Sequence, residues 1–236
     1  MALDSWLNKR HMSAPPRKAP DELAASADRA VIIDDFLRTD VLQKLLPLFE
    51  IHAAWEDVYG IVADHTKVTL AEFEAAEPQR KLYHLLSLEK TPDIKALTPT
   101  WIAWIFLKQF FGSKELLQFV ADASGVSPTY YQGHQCHIMQ RGHFINPHSD
   151  DGKNRVLCGV LYAGAGWRPG YGAEFEILRD GKTVDLAEPL PNRLVLFRPR
   201  SAPRHRVRPI TEAAKDWKRK SITLWWADGP LPTADA

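Results

Sequence analysis

A change of texture at Thr129 limits how this chain can fold more than any other feature. Beyond it, short runs of β-branched and aromatic residues recur about every 8–12 residues, separated by Gly, Pro, Asn and Asp, as in an all-β sandwich or barrel. The runs predict strands near 131–140, 143–148, 155–163, 173–178, 193–198, 204–209 and 219–227. Asp180-Gly181, between Ile177-Leu178 and Thr183-Val184, reads as a hairpin turn, since Asp-Gly tolerates the positive φ that such turns require. Before Thr129 the periods are helical: from Asp40, through Leu70–Leu88 and through Trp101–Val120. In the last of these, Ile102, Ile105, Phe106, Gln109 and Phe110 form a stripe expected to face the core, and Trp101 and Trp104 are also expected inside. Ala30–Leu37 reads as a strand and turn. The expected class is α+β, a β-sandwich or barrel buttressed by helices.

Residues 1–28, with Pro15, Pro16 and Pro20, read as a flexible leader with at most one helical turn around Trp6. Residues 29–236 read as a single domain, with 29–128 mainly helical support and 129–228 the β core. Thirty basic against 29 acidic side chains give no electrostatic case for a nucleic-acid or membrane partner. A hydrophobic fraction of 45% and a charged fraction of 25% exclude disorder over most of the length. No apolar run approaches the roughly 20 residues needed to span a bilayer, and the N-terminus lacks the apolar stretch of a secretory signal. Cys136 and Cys158 lie in apolar segments and read as free buried thiols in a reducing compartment, so the expected location is cytoplasmic.

The chemistry concentrates in the β half. His148 and Asp150 are two apart, so on an extended chain both side chains point the same way and can bind one ion. His205, from a distant strand, would complete a face of two imidazoles and a carboxylate, which suits non-haem Fe(II) with three open positions and also suits zinc. On the last strand, alternation places Arg219, Ser221, Thr223 and Trp225 on one face, where an inward guanidinium can fork onto a carboxylate. On 131–140, alternation separates His134, Cys136 and Ile138 from Gln135, His137 and Met139.

These residues sit in PHSD (147–150), RVLCGVLYAGAGW (155–167), GYGAEFEI (170–177), NRLVLFRPRSAPRHRVRPI (192–210) and RKSITLWW (219–226). In that order and spacing the chain resembles the 2-oxoglutarate- and Fe(II)-dependent dioxygenases, in the branch shaped like prolyl 4-hydroxylase. AVIIDDFL (30–37) adds to the resemblance. It implies a double-stranded β-helix (jelly-roll, cupin-like) core, with His148, Asp150 and His205 as iron ligands. Arg219 would hold the distal carboxylate of 2-oxoglutarate, with Thr223 and Tyr162 beside it. His137, Met139, Cys158, Val207 and Trp225 would line the pocket. The implied reaction consumes O2 and 2-oxoglutarate, releases succinate and CO2, and hydroxylates an unactivated C–H bond of an amino acid, short peptide or small natural product, with ascorbate stimulatory. A hydroxylase acting on a residue of a folded protein is the alternative.

The departures fall around the pocket. Ala173 follows Gly172 where the family has a second glycine, a change that a negative φ would tolerate. Cys158, Ala163 and Met139 stand where Thr, Leu and Tyr are common. Asp150 stands where halogenating relatives lack a ligand, which favours hydroxylation. Arg198, Arg200, Arg204, Arg206 and Arg208 form a basic stretch, but Trp225 occupies the place of the second arginine expected of a nucleic-acid demethylase. A solvated loop is therefore the better reading of the stretch. A non-catalytic scaffold would have lost one of the four key positions, and a cupin that does not use 2-oxoglutarate would have no use for Tyr162, Arg219 and Thr223. The loops 60–100 and 164–172 are expected to shape the entrance.

Overall fold

The structure, a computed structural model, describes residues 2–13, 29–62, 66–88, 97–152, 154–199 and 204–229. Its centre is an antiparallel sheet nearly closed into a barrel, the double-stranded β-helix expected from the sequence. One wall runs in the order β1 (Val31–Ile33), β10 (Leu194–Phe197), β7 (Arg155–Tyr162), β12 (Arg219–Ala227), β5 (Tyr130–Met139). The other runs β6 (Phe144–His148), β11 (Arg204–Val207), β8 (Phe175–Arg179), β9 (Lys182–Ala187), the last two joined at Asp180-Gly181. Between the walls stands β4 (Lys81–Leu88), paired to β5 and β6, with β2 (Trp55–Ile61) and β3 (Lys67–Val68) beyond it.

Period-two alternation sorts the side chains. On β7, Cys158, Val160 and Tyr162 face inward with Phe175, Ile177, Val195 and Phe197. Leu157 and Leu161 face outward, into a larger core shared with the helices. Gly159 lies on the same outward side in register with Leu224 and Leu196. A Cβ there would sit 2.9 Å from the Trp226 ring. Trp226 is consequently fully buried against bare backbone, and its indole N–H donates to the Phe111 carbonyl at 3.2 Å.

The first half departs from its helical reading in three places. A helix forms at Leu70–Ala75, started by a capping box of Thr69 and Glu72, but it stops before Glu77-Pro78. Proline keeps the preceding residue extended, and Lys81–Leu88 continues as β4 rather than as helix. With β1 to β3, the 29–128 segment therefore contributes four strands beside its helices. The single period through Trp101–Val120 divides into Pro99–Phe111 and Lys114–Ser124, because Ser113 caps a new helix by accepting from the Leu116 N–H. The buried stripe of the first of these is Trp101, Trp104, Leu107, Phe110 and Phe111, whereas Ile102 and Phe106 are exposed. Two indoles bury more apolar area than the isoleucine and phenylalanine they displace, which sets the rotation of the helix.

Residues 2–13 are not a free leader. Leu7 bridges Leu37 and is fully buried, Trp6 stacks on Phe110 at 5.1 Å, and His11 is buried beside Phe119. The prolines that suggested a leader lie at 15, 16 and 20, outside the described residues, so they do not interrupt this segment. Leu7→Ala is expected to lower stability by about 2–4 kcal/mol, read as a shift in the urea midpoint at constant slope.

Ala173 also departs from expectation. Its φ is +70°, in the left-handed region, and it follows Gly172 at +75°. A Cβ on Gly172 would lie 2.0 Å from the Pro209 carbonyl oxygen, so that turn is pressed against the neighbouring chain and Ala173 adopts the positive φ it imposes.

Candidate active site

His148 ends β6 and His205 lies directly opposite it on β11, so one strand pair brings the two imidazoles together with ring centroids 4.2 Å apart. Asp150, two residues past the end of β6, turns its carboxylate toward both. Oδ1 lies 4.0 Å from His148 Nε2, and Oδ2 lies 3.6 Å from His205 Nε2. One donor atom from each of the three lies within 4.8 Å of the others.

The surroundings orient each donor. His148 Nδ1 donates to the Asn146 carbonyl at 2.9 Å, which places the Nε2 lone pair on the side of Asp150. Trp225 Nε1 donates to Asp150 Oδ2 at 3.3 Å, and the Arg155 guanidinium lies 3.6 Å from Oδ1 and 4.5 Å above the Trp225 ring. Burial pushes the Asp150 carboxyl up, but the hydrogen bond and charge of His205, with His148 and Arg155, more than offset it and hold the group well below the usual carboxylate range. The site therefore offers an ionised carboxylate and at least one imidazole in the ligating tautomer. Cys158, pushed far up by burial and by Asp150, is a neutral thiol.

The triad opens into a cavity of about 350 Å³. Across it lies Arg219, 3% exposed, with its Nη1 donating to Ser221 Oγ at 2.8 Å and its guanidinium 4.9 Å from the Tyr162 ring. Among the described residues no carboxylate neutralises it. Its Nε and the Tyr162 hydroxyl are buried with no hydrogen-bond partner. Such groups are costly to bury unpaired, and a carboxylate entering the cavity would satisfy both at once. Thr223 lines the same wall. The residues present thus fit the pair that the sequence suggested, a metal ion on two imidazoles and a carboxylate and a dicarboxylate on Arg219.

Of the residues expected to line the pocket, His137, Val207 and Trp225 do so. Met139 and Cys158 are fully buried one layer behind the cavity, Met139 with its Sδ 3.5 Å from Arg219 Nη1 and Cys158 beneath Trp225 in register. Tyr162 is likewise set back, beneath Arg219. Alternation gave Gln135 and His137 the correct side. The sequence reading did not assign Arg155 or Asn146, nor individual members of the wall built by Val58, Tyr83, Leu85 and Ser87 on β2 and β4. That wall lies inside the 60–100 region expected at the entrance, except Val58, whereas no residue of 164–172 lines the cavity. In the basic stretch, Arg206 and Arg208 share the buried Glu176 at 2.5 and 2.7 Å, and Arg208 also lies 3.9 Å from Glu174, so two carboxylates face these two cations. Arg200 lies outside the described residues.

The family model described as the 2OG-Fe(II) oxygenase superfamily matches residues 134–227, a span that contains the triad, Tyr162, Arg219 and Thr223. Over that span the chain is similar to this superfamily. No curated protein matches it in sequence. Among solved structures, a Pseudomonas putida prolyl-4-hydroxylase shares its fold at 19% identity and a TM-score of 0.58, over 89% of this chain and 96% of the other. A Trichoplax adhaerens prolyl hydroxylase, solved with a hypoxia inducible factor oxygen degradation domain peptide fragment, aligns at 16% identity and a TM-score of 0.60, over 88% and 86%. An oxidoreductase of the 2OG-Fe(II) oxygenase family from Burkholderia pseudomallei aligns at 16% and 0.58, over 93% and 95%. The fold is thus shared with prolyl hydroxylases, and the family matched over 134–227 is one that implies Fe(II) and 2-oxoglutarate.

Proposed function

We propose that this oxygenase hydroxylates an unactivated C–H bond of an amino acid, a short peptide or a small natural product, with His148, Asp150 and His205 holding Fe(II) and Arg219 holding 2-oxoglutarate. The observation that carries this reading is the pairing of the triad with a buried, carboxylate-free Arg219 across one cavity. When bound, Fe(II) with 2-oxoglutarate and O2 supplies the oxidising power that turns C–H into C–OH, leaving succinate and CO2, and ascorbate keeps the metal reduced.

The chain's own residues do the rest. The Asn146 carbonyl fixes the His148 tautomer, and Trp225 and Arg155 hold the Asp150 carboxylate in place between the imidazoles. Arg219 anchors one end of the diacid, Tyr162 and Thr223 complete its cradle, and Ser221 keeps the guanidinium from swinging away. The inner core of Phe175, Phe197 and Val207 keeps water from the far side.

Cavity size favours the small substrate. About 350 Å³ is near the lower end of ligand sites, roughly 300–1,000 Å³. Once a five-carbon diacid is bound, the remaining room suits one small side chain or molecule. A prolyl or other residue of a protein partner could enter the same space, as the peptide-bound Trichoplax structure suggests by its fold. The deciding test is succinate release by the purified protein with Fe(II), ascorbate, O2 and 2-oxoglutarate, followed by a screen of amino acids, peptides and intact proteins for stimulation. Stimulation by small molecules or short peptides is expected. Stimulation by an intact protein alone would replace the substrate class, and a complete lack of 2-oxoglutarate binding would overturn the oxygenase reading of the site.

A further inference from the structure

A second cluster of metal-ligating groups lies on the opposite face of the strands that wall the cavity. On β2 and β4, Val58, Tyr83 and Leu85 point into the active site, and alternation sends Asp57 and His84 to the outer face. His143, in the turn before β6, joins them there with its ring centroid 4.1 Å from that of His84. His84 Nε2 is 3.0 Å from Asp57 Oδ1, and one donor atom from each of the three lies within 4.8 Å of the others.

An ion pair between Asp57 and His84 explains only two of the three residues. His143 is 3% exposed, and its Nδ1 is buried without a hydrogen-bond partner. The ring also bonds to the Ile138 backbone, which by elimination uses Nε2–H and leaves the lone pair on Nδ1. Tyr59 stacks on the His84 ring at 4.5 Å and Phe73 lies beside it at 6.3 Å, which fixes the imidazole on its aromatic side. Asp57 is half exposed, leaving an entry path from solvent.

We propose that Asp57, His84 and His143 form a second metal site, distinct from the iron triad, that takes Zn²⁺ with a water as fourth ligand. Two imidazoles and one carboxylate are borderline ligands suited to zinc, and bonds of about 2.0–2.1 Å would draw the three donors in from their present separations of up to 4.8 Å. The ion joins the paired strands β2 and β4 to the turn that leads into β6, and so braces from outside the wall formed by Val58, Tyr83, Leu85 and Ile145. Its role is structural.

The test counts zinc per chain by elemental analysis on the full-length protein, stripped with chelator, reloaded with Zn²⁺ and desalted. Asp57→Asn/His84→Gln is expected to hold one equivalent fewer than wild type. In a His148→Ala/His205→Ala background one equivalent is expected to remain, and adding Asp57→Asn/His84→Gln should remove it. In that background Zn²⁺ should also raise the melting temperature, as any ligand of the native state does, and the rise should vanish in the fourfold variant while the melting temperature in chelator stays unchanged. Zinc retained in the fourfold variant, or none bound in the His148→Ala/His205→Ala protein, would overturn the proposal. Because the two triads are removed separately, failure of the outer site is distinguishable from failure of the iron site.

Discussion

His205→Ala is expected to lower succinate release by about 10³-fold or more, a loss of roughly 4 kcal/mol at 1.36 kcal/mol per decade. His205 is the residue through which the two walls meet at the metal. It pairs in register with His148 on one side and with Ile177 on the other, and its Nε2 lies 3.6 Å from Asp150 Oδ2. Alanine removes one of three ligands, and it also removes the group that does most to hold Asp150 ionised against its burial. The remaining pair would bind a divalent ion far more weakly, since no other imidazole or carboxylate among the described residues joins this triad. Fe(II) stoichiometry should fall with the activity. The ring also packs against Phe197 and Phe175 at centroid distances of 4.7 and 5.5 Å, so some stability is lost with it. A melting curve recorded in chelator separates that loss from loss of metal. Retention of iron and of turnover by a folded His205→Ala protein would remove the triad from the mechanism.

Legibility in the sequence followed the physics of each segment. The β half was readable because its strands are bounded by turn residues and alternate with period two. That alternation alone placed Arg219, Thr223 and Trp225 on the cavity side and Ile222, Leu224 and Trp226 on the helix side. It failed where the backbone breaks the period. Arg155 shares parity with the outward Leu157, yet the register shifts between Trp226 and Ala227, where β12 pairs β7, and such an irregularity turns Arg155 to Asp150. No periodicity signals that. Lys81–Leu88 was missed for a different reason. Its burial depends on β5 and β6, which are distant in sequence, and its leucines fit a helical period equally well. Position 173 was misjudged because alanine gives no local sign of a positive φ that is imposed by the approach of Pro209 to Gly172. Asp57, His84 and His143 are spread over 87 positions of sequence and share no motif, so only the fold brings them together.

Arg219→Leu is expected to raise the KM for 2-oxoglutarate by about 10²-fold, with Arg219→Lys recovering only part of the loss. A buried charge–carboxylate contact removed from one side costs on the order of 2–5 kcal/mol, and the lower part of that range is a factor of about 10². Lysine restores the charge but not the fork. Arg219 spends Nη1 on Ser221 and leaves Nε without a partner, so the guanidinium can satisfy Ser221 and a carboxylate together, whereas an ammonium on a flexible stem must divide its donors without that fixed geometry. The Tyr162 ring beneath the guanidinium, at 4.9 Å, favours a flat delocalised cation for the same reason. Because Arg219 stands apart from the triad, Fe(II) binding should be unchanged in both variants, which separates this prediction from that for His205. Succinate release measured against 2-oxoglutarate concentration, at saturating Fe(II), reads the effect directly. A KM within about threefold of wild type in Arg219→Leu, less than 1 kcal/mol, would mean that the diacid is anchored elsewhere, and the unpaired Nε and Tyr162 hydroxyl would then need another partner.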